Sequence, residues 1–192
     1  MSPRAADPEK RQSILKAALE LFVQRGFHGT AVPDIARGAG VGAGTIYRYF
    51  SNKEALVNEL YRHWKTELSG RLLDNFPMAA PPREQFKTYW NRYVDFAREF
   101  PRAQAFLELH HRAHFLDAES IALEDRLHEV ARMVVGRMAA QGAIRPAPLE
   151  VVLAVVFGAM LGVIKSDWYG HLELTDEVRT IAEQCCWEAI RA

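Results

Sequence analysis

Between residues 30 and 56 the sequence places two short predicted helices on either side of a glycine-containing turn, and no other feature constrains the fold as strongly. Thr30 can cap a helix over 31–39, because a threonine hydroxyl accepts hydrogen bonds from the first helical turn. Gly40 can adopt the left-handed conformation that ends this helix, and Gly42 can cap the next one. The pattern predicts a helix-turn-helix, whose second helix enters the major groove of DNA.

The second predicted helix has one apolar face and one polar face. Ile46 and Phe50 are four residues apart, so both point toward the same buried side. Tyr47 and Arg48 remain on other faces, where hydroxyl and guanidinium groups suit contacts with phosphates and base edges. The alternative is that the tyrosines of this helix are ordinary half-buried core residues.

A capping box predicts the start of the helix that follows. Ser51 and Glu54 have the spacing at which both side chains bond the free N–H groups of a helix start. Lys53 lies in the first turn, where a cation is mildly unfavourable beside the positive end of the helix dipole. A nearby phosphate would make this lysine useful, so Lys53 is a candidate DNA contact.

Together these residues resemble the DNA-binding signature of the TetR family of transcriptional regulators, over residues 9–60 or so. The matching stretches are Ile35-Ala36-x-x-Ala39-Gly40-Val41 and Gly44-Thr45-Ile46-Tyr47-x-Tyr49-Phe50-x-x-Lys53-Glu54-x-Leu56. The resemblance implies that the tyrosines, Thr45 and Lys53 contact phosphates, while Arg48 and Gly44 face base edges. The predicted DNA-binding residues are Thr30, Gly44, Thr45, Tyr47, Arg48, Tyr49 and Lys53.

Three positions depart from the family pattern. Ala31 and Gly42 stand where the family often has hydroxyl residues, and each replacement removes a potential hydrogen bond to the DNA backbone. Pro33 stands where a longer polar side chain could reach a base. We therefore expect affinity for DNA to be lower than is usual in the family, or to depend more on Arg48 and Lys53.

The charges are unevenly distributed along a chain that is neutral overall. Residues 1–53 contain eight basic and four acidic residues, and the remainder contains 16 basic and 20 acidic ones. The first part thus carries a formal charge of +4 and the rest −4. A positive N-terminal region fits binding to DNA, whose backbone is negatively charged.

The rest of the sequence has helical periods, so the predicted fold class is all-α. Asp7 and Pro8 mark the start of a first helix and Gly26 its end, after a flexible arm over residues 1–7. Later helices are predicted over residues 51–73, 83–99, 102–115, 118–140, 148–168 and 174–190. The predicted domains are an N-terminal three-helix DNA-binding domain with the helix-turn-helix (residues 1–54) and a larger helical ligand-binding and dimerisation bundle (residues 55–192).

The helix predicted over 148–168 is apolar on nearly every face, so we expect it to be buried on nearly every face. Small residues recur along it every four positions, which lets another helix approach closely. With the last helix it could form half of a four-helix interface between two identical chains, or it could pack only within one chain. The predicted dimer-interface residues are Ala154, Gly158, Gly162, Ile181 and Cys185. By the family resemblance, a dimer would read a near-palindromic operator.

Aromatic residues are concentrated between the proline-rich break and these helices, which favours an apolar pocket for a small effector. Such a ligand would shift the population between DNA-competent and incompetent dimers. The alternative is that these aromatic residues are ordinary core. The predicted pocket residues are Phe86, Trp90, Tyr93, Phe106, His110, His114 and Phe157.

Metal binding and catalysis have little support in the sequence. His110 and His114 have the four-residue spacing of two metal ligands on a helix, but no third ligand has a fixed place beside them. Cys185 and Cys186 are adjacent and cannot form a stabilising disulfide, which leaves buried packing or a redox role. No nucleophile elbow, phosphate loop or paired-carboxylate site is found, so neither an enzyme nor a cofactor is predicted.

The sequence also contains no membrane signal that we could identify. The longest apolar run, Val151 to Ile164, has 14 residues, which is shorter than the roughly 20 needed to span a bilayer. The N-terminal residues lack the apolar core of a signal peptide. We expect a cytoplasmic protein with no membrane partner.

The sequence therefore predicts a ligand-responsive, sequence-specific transcriptional repressor that a small, mostly hydrophobic effector releases from a palindromic operator. Its predicted partners are double-stranded DNA, the effector and a second copy of the chain. The alternative is a helical small-molecule- or metal-binding protein without specific DNA binding. Salt-sensitive binding to duplex DNA that depends on Tyr47 would distinguish the two.

Overall fold

The computed structural model describes residues 7–192, which form nine helices and no β-sheet. The helices are α1 Pro8–Arg25, α2 Val32–Gly38, α3 Ala43–Tyr49, α4 Lys53–Leu73, α5 Pro82–Glu99, α6 Pro101–Leu109, α7 Ala118–Ala140, α8 Leu149–Trp168 and α9 Asp176–Ile190. The all-α prediction is confirmed over this range. The predicted N-terminal arm, apart from Asp7, lies outside the described residues.

Both predicted ends of α1 are confirmed. The Asp7 carboxylate accepts a hydrogen bond from the Glu9 N–H group at 3.1 Å, and Pro8 is the first helical residue. Gly26 ends the helix with a φ of +67°, a left-handed conformation that is available to glycine at little cost.

The predicted capping box at the start of α4 is wrong. The helix begins at Lys53, and the side-chain oxygen of Asn52 accepts a hydrogen bond from the Ala55 N–H group at 2.7 Å. Asn52 therefore caps the helix, one position after the predicted Ser51.

The sixth helix is shorter than predicted. It ends at Leu109 instead of continuing to residue 115. The chain turns after it, and Arg112 has a φ of +53°, which is incompatible with a continuing right-handed helix.

The described residues divide into two compact units. The first contains residues 7–66 and 100–123, and the second contains residues 67–99 and 124–192. The predicted domain boundary between residues 54 and 55 lies inside α4 and stays a prediction.

The first unit is built around α1, which packs against α2 and α6. Ile14, Ala18 and Phe22 of α1 are fully buried, together with Ile35 of α2 and Phe106 of α6. This apolar core holds the helix-turn-helix in place, because α2 has few residues of its own to stabilise it.

His110 lies within the aromatic part of this core. Its ring is 4.5 Å from Phe106, 5.5 Å from Phe115 and 6.0 Å from Phe22, measured between ring centres, and the residue is 2% exposed. Its Nδ1 atom lies 2.8 Å from the carbonyl oxygen of Phe106, so Nδ1 carries the proton of the neutral ring. Nε2 is buried without a hydrogen-bond partner among the residues described. Burial lowers the pKa of His110 below its usual range, against a smaller opposing effect of the Phe106 bond.

We expect His110 to make the protein less stable in mild acid. Because the folded pKa lies below the unfolded one, the unfolded chain binds more protons below about pH 6.5, and the free energy of unfolding falls as pH drops through that region. Urea denaturation from about pH 7.5 to about pH 5.5 measures this slope. His110→Gln should flatten it, whereas His171→Gln, at an exposed position in the second unit, should not. An unchanged slope in His110→Gln would show that His110 does not cause the loss of stability in mild acid.

In the second unit, α5, α8 and α9 pack against one another. Phe86 and Trp90 of α5 are buried with Val152 and Met160 of α8 and Trp187 of α9. An ion pair links the first turn of α5 to the middle of α9 within the same unit, between Arg83 and Glu183.

The expectation that α8 is buried on nearly every face is wrong for the single chain. Val152, Val156 and Met160 are buried, but Val151 and Val155 are exposed on another face. As a whole helix of 20 residues, with a mean hydropathy of 2.0 over its central window, α8 is also long and apolar enough to cross a membrane. Core helices of soluble helical bundles share that length and hydropathy. The exposed valines leave apolar surface in contact with water in the single chain, which is unfavourable.

The two cysteines differ in environment. Cys186 is buried and Cys185 is exposed, and both are free thiols. Burial is the main cause that raises the pKa of the Cys186 thiol to about 11, so this residue is a packing group and not a reactive thiolate.

Candidate nucleic-acid interface

The helix-turn-helix is formed by α2, a short turn and α3. Gly40, in the turn, has a φ of +67° and ends α2 as predicted. Gly42 is the N-cap of α3, and its carbonyl oxygen accepts a hydrogen bond from the Thr45 N–H group at 2.8 Å. Gly40 therefore sets the sharp change of direction that separates the two helices.

One face of α3 anchors the helix and the other faces solvent. Ile46 is buried in the first unit, as is Phe50 directly after the helix, so the predicted inner face is confirmed. Tyr47 is 56% exposed, and Arg48 is exposed without an ion-pair partner among residues 7–192. Gly44 is exposed, and an added Cβ there would meet no atom within 4 Å. The free face thus combines a phenol, a guanidinium group and bare backbone.

Tyr49 connects the end of α3 to the start of α1. Its hydroxyl oxygen accepts a hydrogen bond from the Asp7 N–H group at 3.0 Å, and the residue is half-buried. The hydroxyl hydrogen remains available to donate outward. Thr45 is also half-buried, and the contact of each residue with a phosphate stays a prediction.

Thr30 is buried and does not cap α2, contrary to the prediction. It is 1% exposed, and its hydroxyl donates to the carbonyl oxygen of Gly26 at 2.8 Å. The carbonyl oxygen of Leu21 lies 3.1 Å from the same hydroxyl, as a second acceptor. The N-cap of α2 is Ala31, which has no side-chain cap. Thr30 therefore closes the end of α1, and this burial does not suit the DNA contact that the sequence predicted.

Lys53 also points into the protein. Its Nζ atom donates to the carbonyl oxygens of Phe27 at 2.8 Å and Thr30 at 2.9 Å, and lies 4.2 Å from the centre of the Phe27 ring. These bonds fix the loop between α1 and α2. Lys53 is half-buried, and its contact with a phosphate stays a prediction. The remaining predicted DNA-binding residues, which lie together on α3, are Gly44, Thr45, Tyr47, Arg48 and Tyr49.

The second unit contains a separate cavity of about 270 Å³. Phe86 and Phe157, two predicted pocket residues, line it, together with Tyr89 and Gln85, which were not predicted. The other lining residues are apolar: Leu73, Phe76, Met78, Val130, Ala131, Met133, Val134, Val135, Met138, Ile144, Val152, Leu153, Val156 and Ile190.

The predicted pocket residues are not all brought together. Trp90 and Tyr93 are buried on α5, packed on the rings of Phe86 and Phe157, but do not line the cavity. Phe106, His110 and His114 lie in the first unit, where they form part of its aromatic cluster. Aromatic residues that are close in sequence thus serve two different cores.

The histidines do not form a metal centre within the described part of the chain, where no group of three or more His, Cys, Asp or Glu residues has a suitable arrangement. His110 uses Nδ1 toward Phe106, as described above. His114 stacks on His28 at 5.4 Å between ring centres. The two histidines therefore serve aromatic packing.

The predicted dimer-interface residues share one property: all five are exposed in the single chain. On α8, an added Cβ at Gly158 or Gly162 would meet no atom within 4 Å. On α9, Ile181 is a large apolar residue in solvent. The remaining members of the set are Ala154 and Cys185.

Comparison with known proteins agrees with this geometry. The sequence model for bacterial regulatory proteins of the tetR family matches residues 14–60, and that for the tetracyclin repressor-like C-terminal domain matches residues 61–192. The probable acrEF/envCD operon repressor of Escherichia coli K12 is 30% identical over 167 residues, which cover 81% of this chain and 74% of that protein.

Other relatives match over different lengths. The HTH-type transcriptional repressor KstR2 of Mycobacterium tuberculosis is 37% identical over 78 residues, 41% of this chain, and the match spans only 39% of the repressor's length. A TetR family transcription regulator from Marinobacter aquaeolei VT8 has the same fold, with a TM-score of 0.84 at 24% identity over 96% of this chain and 97% of that one.

The two family matches together span residues 14–192 and include both the helix-turn-helix and the helical region that follows it. Regulators of this kind bind DNA and small-molecule effectors, generally as dimers, and are generally not enzymes. The chain is thus a DNA-binding transcriptional regulator, and it belongs to the TetR family.

Proposed function

We propose that this protein is a dimeric repressor that binds a near-palindromic operator and is released by a small, mostly hydrophobic effector. The observation that carries the proposal is the solvent face of α3, where Tyr47 and Arg48 are exposed beside the open backbone at Gly44. Neither side chain is needed for the core, which Ile46 and Phe50 already fill.

Each exposed group of α3 has a suitable partner in the major groove. A guanidinium group such as that of Arg48 can donate two hydrogen bonds to the O6 and N7 atoms of one guanine. The hydroxyls of Tyr47 and Tyr49 can donate to phosphates, which fix the position of the helix without reading sequence. The absence of a side chain at Gly44 lets the backbone approach the bases.

The exposed apolar faces of α8 and α9 support a dimer. Val151 and Val155 join the small residues of α8, so two copies of this surface can approach closely about a two-fold axis. Burial of these side chains removes apolar surface from water, which favours association. A two-fold dimer would place its two α3 helices on half-sites about one helical turn, or a multiple of it, apart.

The cavity of the second unit supports a response to a ligand. Its walls are almost entirely apolar, as expected of a site for a small hydrophobic molecule. Such a molecule releases DNA if it binds the incompetent conformation more tightly than the competent one. We further propose that the protein acts in the cytoplasm and catalyses no reaction.

Selection of bound duplexes from a random DNA library, at roughly physiological salt, tests the proposal. We expect enrichment of a near-palindrome, bound by two chains, with an affinity that falls steeply as salt rises. The enriched duplex then serves as the probe for effectors that release it. If the protein is folded and dimeric but enriches no sequence, the departures at Ala31, Pro33 and Gly42 have disabled the reader, and the alternative of a ligand-binding protein without specific DNA binding gains support.

A further inference from the structure

The cavity of the second unit has almost no polar groups. Only Gln85 and Tyr89 carry polar side chains among its lining residues, and none of the lining residues is charged. The Nε2 group of Gln85 is already used, because it donates to the carbonyl oxygens of Ala80 at 2.7 Å and Met78 at 3.3 Å. Donation of a side-chain hydrogen bond to a ligand therefore depends on Tyr89.

The Tyr89 hydroxyl is unusual in its surroundings. Its oxygen is buried and has no hydrogen-bond partner among the residues that the structure describes. The ring stands edge-on to Phe157, another lining residue, at 6.3 Å between centres. Burial raises the pKa of Tyr89, with a smaller effect from Tyr93, so the hydroxyl stays protonated. A buried hydroxyl without a partner is costly, and a ligand that accepts its hydrogen would remove that cost.

We propose that the cavity selects a neutral, largely apolar ligand with one acceptor oxygen, such as a carbonyl, to which the Tyr89 hydroxyl donates. This inference rests on the proposed function, because it names the chemical class of the effector that the function requires. Tyr89 is then the residue that distinguishes an oxygen-containing ligand from a plain hydrocarbon.

Neutrality follows from the cavity walls. A carboxylate or phosphate placed among these side chains would lose its water and gain no cation, which is strongly unfavourable. Size follows from the volume. A dry cavity of about 150 Å³ is enough to hold benzene, so the 270 Å³ available here accepts a ligand larger than a single ring.

The naphthalene ketone Prodan is a suitable probe. It is neutral, has two fused rings and one carbonyl oxygen, and its emission shifts to longer wavelength when that oxygen accepts a hydrogen bond. Fluorescence titration of the full-length protein measures its affinity and stoichiometry. The anionic dye anilinonaphthalene sulfonate, also built on a naphthalene ring, provides the charged comparison.

Three variants separate the contribution of the Tyr89 hydroxyl to ligand binding from that of the cavity volume. Tyr89→Phe removes only the hydroxyl and should fold at least as stably as the natural protein, because that hydroxyl has no partner in the described part of the chain. Ala131→Leu adds three carbons to the cavity wall, where Ala131 is buried. Tyr169→Phe, at an exposed position in the same unit, is the matched control.

We expect Prodan to bind once per chain, about tenfold more weakly to Tyr89→Phe, with emission at shorter wavelength in that variant. Ala131→Leu should abolish binding and Tyr169→Phe should leave it unchanged. Equal affinity in Tyr89→Phe, or no saturable binding to the natural protein, would overturn the proposal. The proposal would also be overturned if the sulfonate bound as tightly as Prodan and its binding were lost in Ala131→Leu.

DNA binding is measured separately in the same preparations. A protein that enriches an operator but takes up no Prodan leaves the proposed reader intact and refutes the ligand class. A protein that takes up Prodan through Tyr89 but enriches no operator supports the ligand class and refutes the repressor.

Discussion

Arg48→Ala should lower affinity for the selected operator by about 100-fold or more, because the proposed dimer would lose its proposed arginine–guanine contact in each half-site, each worth about 1–3 kcal/mol. Arg48 is exposed on α3 and has no ion-pair partner among residues 7–192, so its removal leaves the fold intact. Titration of labelled operator at fixed salt, with circular dichroism as the check on folding, measures the effect.

Arg126→Ala is the matched control for charge. Arg126 is also an exposed arginine on a helix, but it lies on α7 in the second unit. Because any loss of a positive charge weakens binding to DNA slightly, this variant shows how much of the effect is non-specific. Repeated library selection with Arg48→Ala should give a relaxed preference at one base of each half-site. Unchanged affinity and preference would show that α3 does not read the operator through Arg48.

The local features of the reader could be predicted because they depend on neighbouring residues. Gly40 and Gly42 act through backbone conformation and capping, and both are found where the sequence places them. The burial of Ile46 and Phe50 follows from four-residue spacing, which is a property of any helix. Such rules need no knowledge of the rest of the fold.

Lys53 shows which contacts of the candidate site could not be predicted. Its acceptors, the carbonyl groups of Phe27 and Thr30, lie 26 and 23 residues earlier in the chain. No local pattern shows that a side chain at the start of α4 reaches a loop before α2. The contacts of buried Asn58 could not be predicted either, because its side chain bonds the backbone of Phe115 and Asp117, which lie 57 and 59 residues later in the chain.

The sequence predicted an apolar pocket in the helical region, but not most of the residues that line the cavity found there. Sequence proximity suggested that the aromatic residues of α5 and α6 share one pocket, yet Phe106 and His110 belong to the first unit. The role of Tyr89 could not be predicted, because nothing in the sequence shows that its hydroxyl has no partner among residues 7–192. Burial and pairing of polar atoms depend on tertiary packing, which periodicity does not report.

Replacing Arg83 by methionine should lower the free energy of unfolding by about 3 kcal/mol, because it leaves the Glu183 carboxylate buried without its partner. Glu183 is 1% exposed, and its two oxygens accept from the two terminal nitrogens of Arg83, one of them at 2.8 Å. The guanidinium carbon also lies 5.4 Å from the centre of the Trp187 ring. Urea denaturation at one fixed protein concentration measures the loss, since the stability of a dimer depends on concentration.

The same pair of helices supplies a control. Arg98 on α5 and Asp176 on α9 form an ion pair at 2.7 Å, but their side chains are 41% and 75% exposed. Arg98→Met should therefore cost less than about 1 kcal/mol. The Arg83 side chain is 37% exposed, so the cost arises from the buried carboxylate of Glu183. The double variant Arg83→Met with Glu183→Met should therefore recover most of the stability, because it removes that carboxylate together with its partner.

An Arg83→Met variant no less stable than Arg98→Met would contradict the importance of the buried pair. If the loss is as large as expected, the consequence extends to the cavity, because Phe86 and Tyr89 lie on the same helix as Arg83 and line its wall. Weakened attachment of α5 to α9 should then lower Prodan affinity in Arg83→Met even though Arg83 does not line the cavity. The double variant should restore that affinity together with stability, which would show that the pair acts on the ligand site by holding α5 in place.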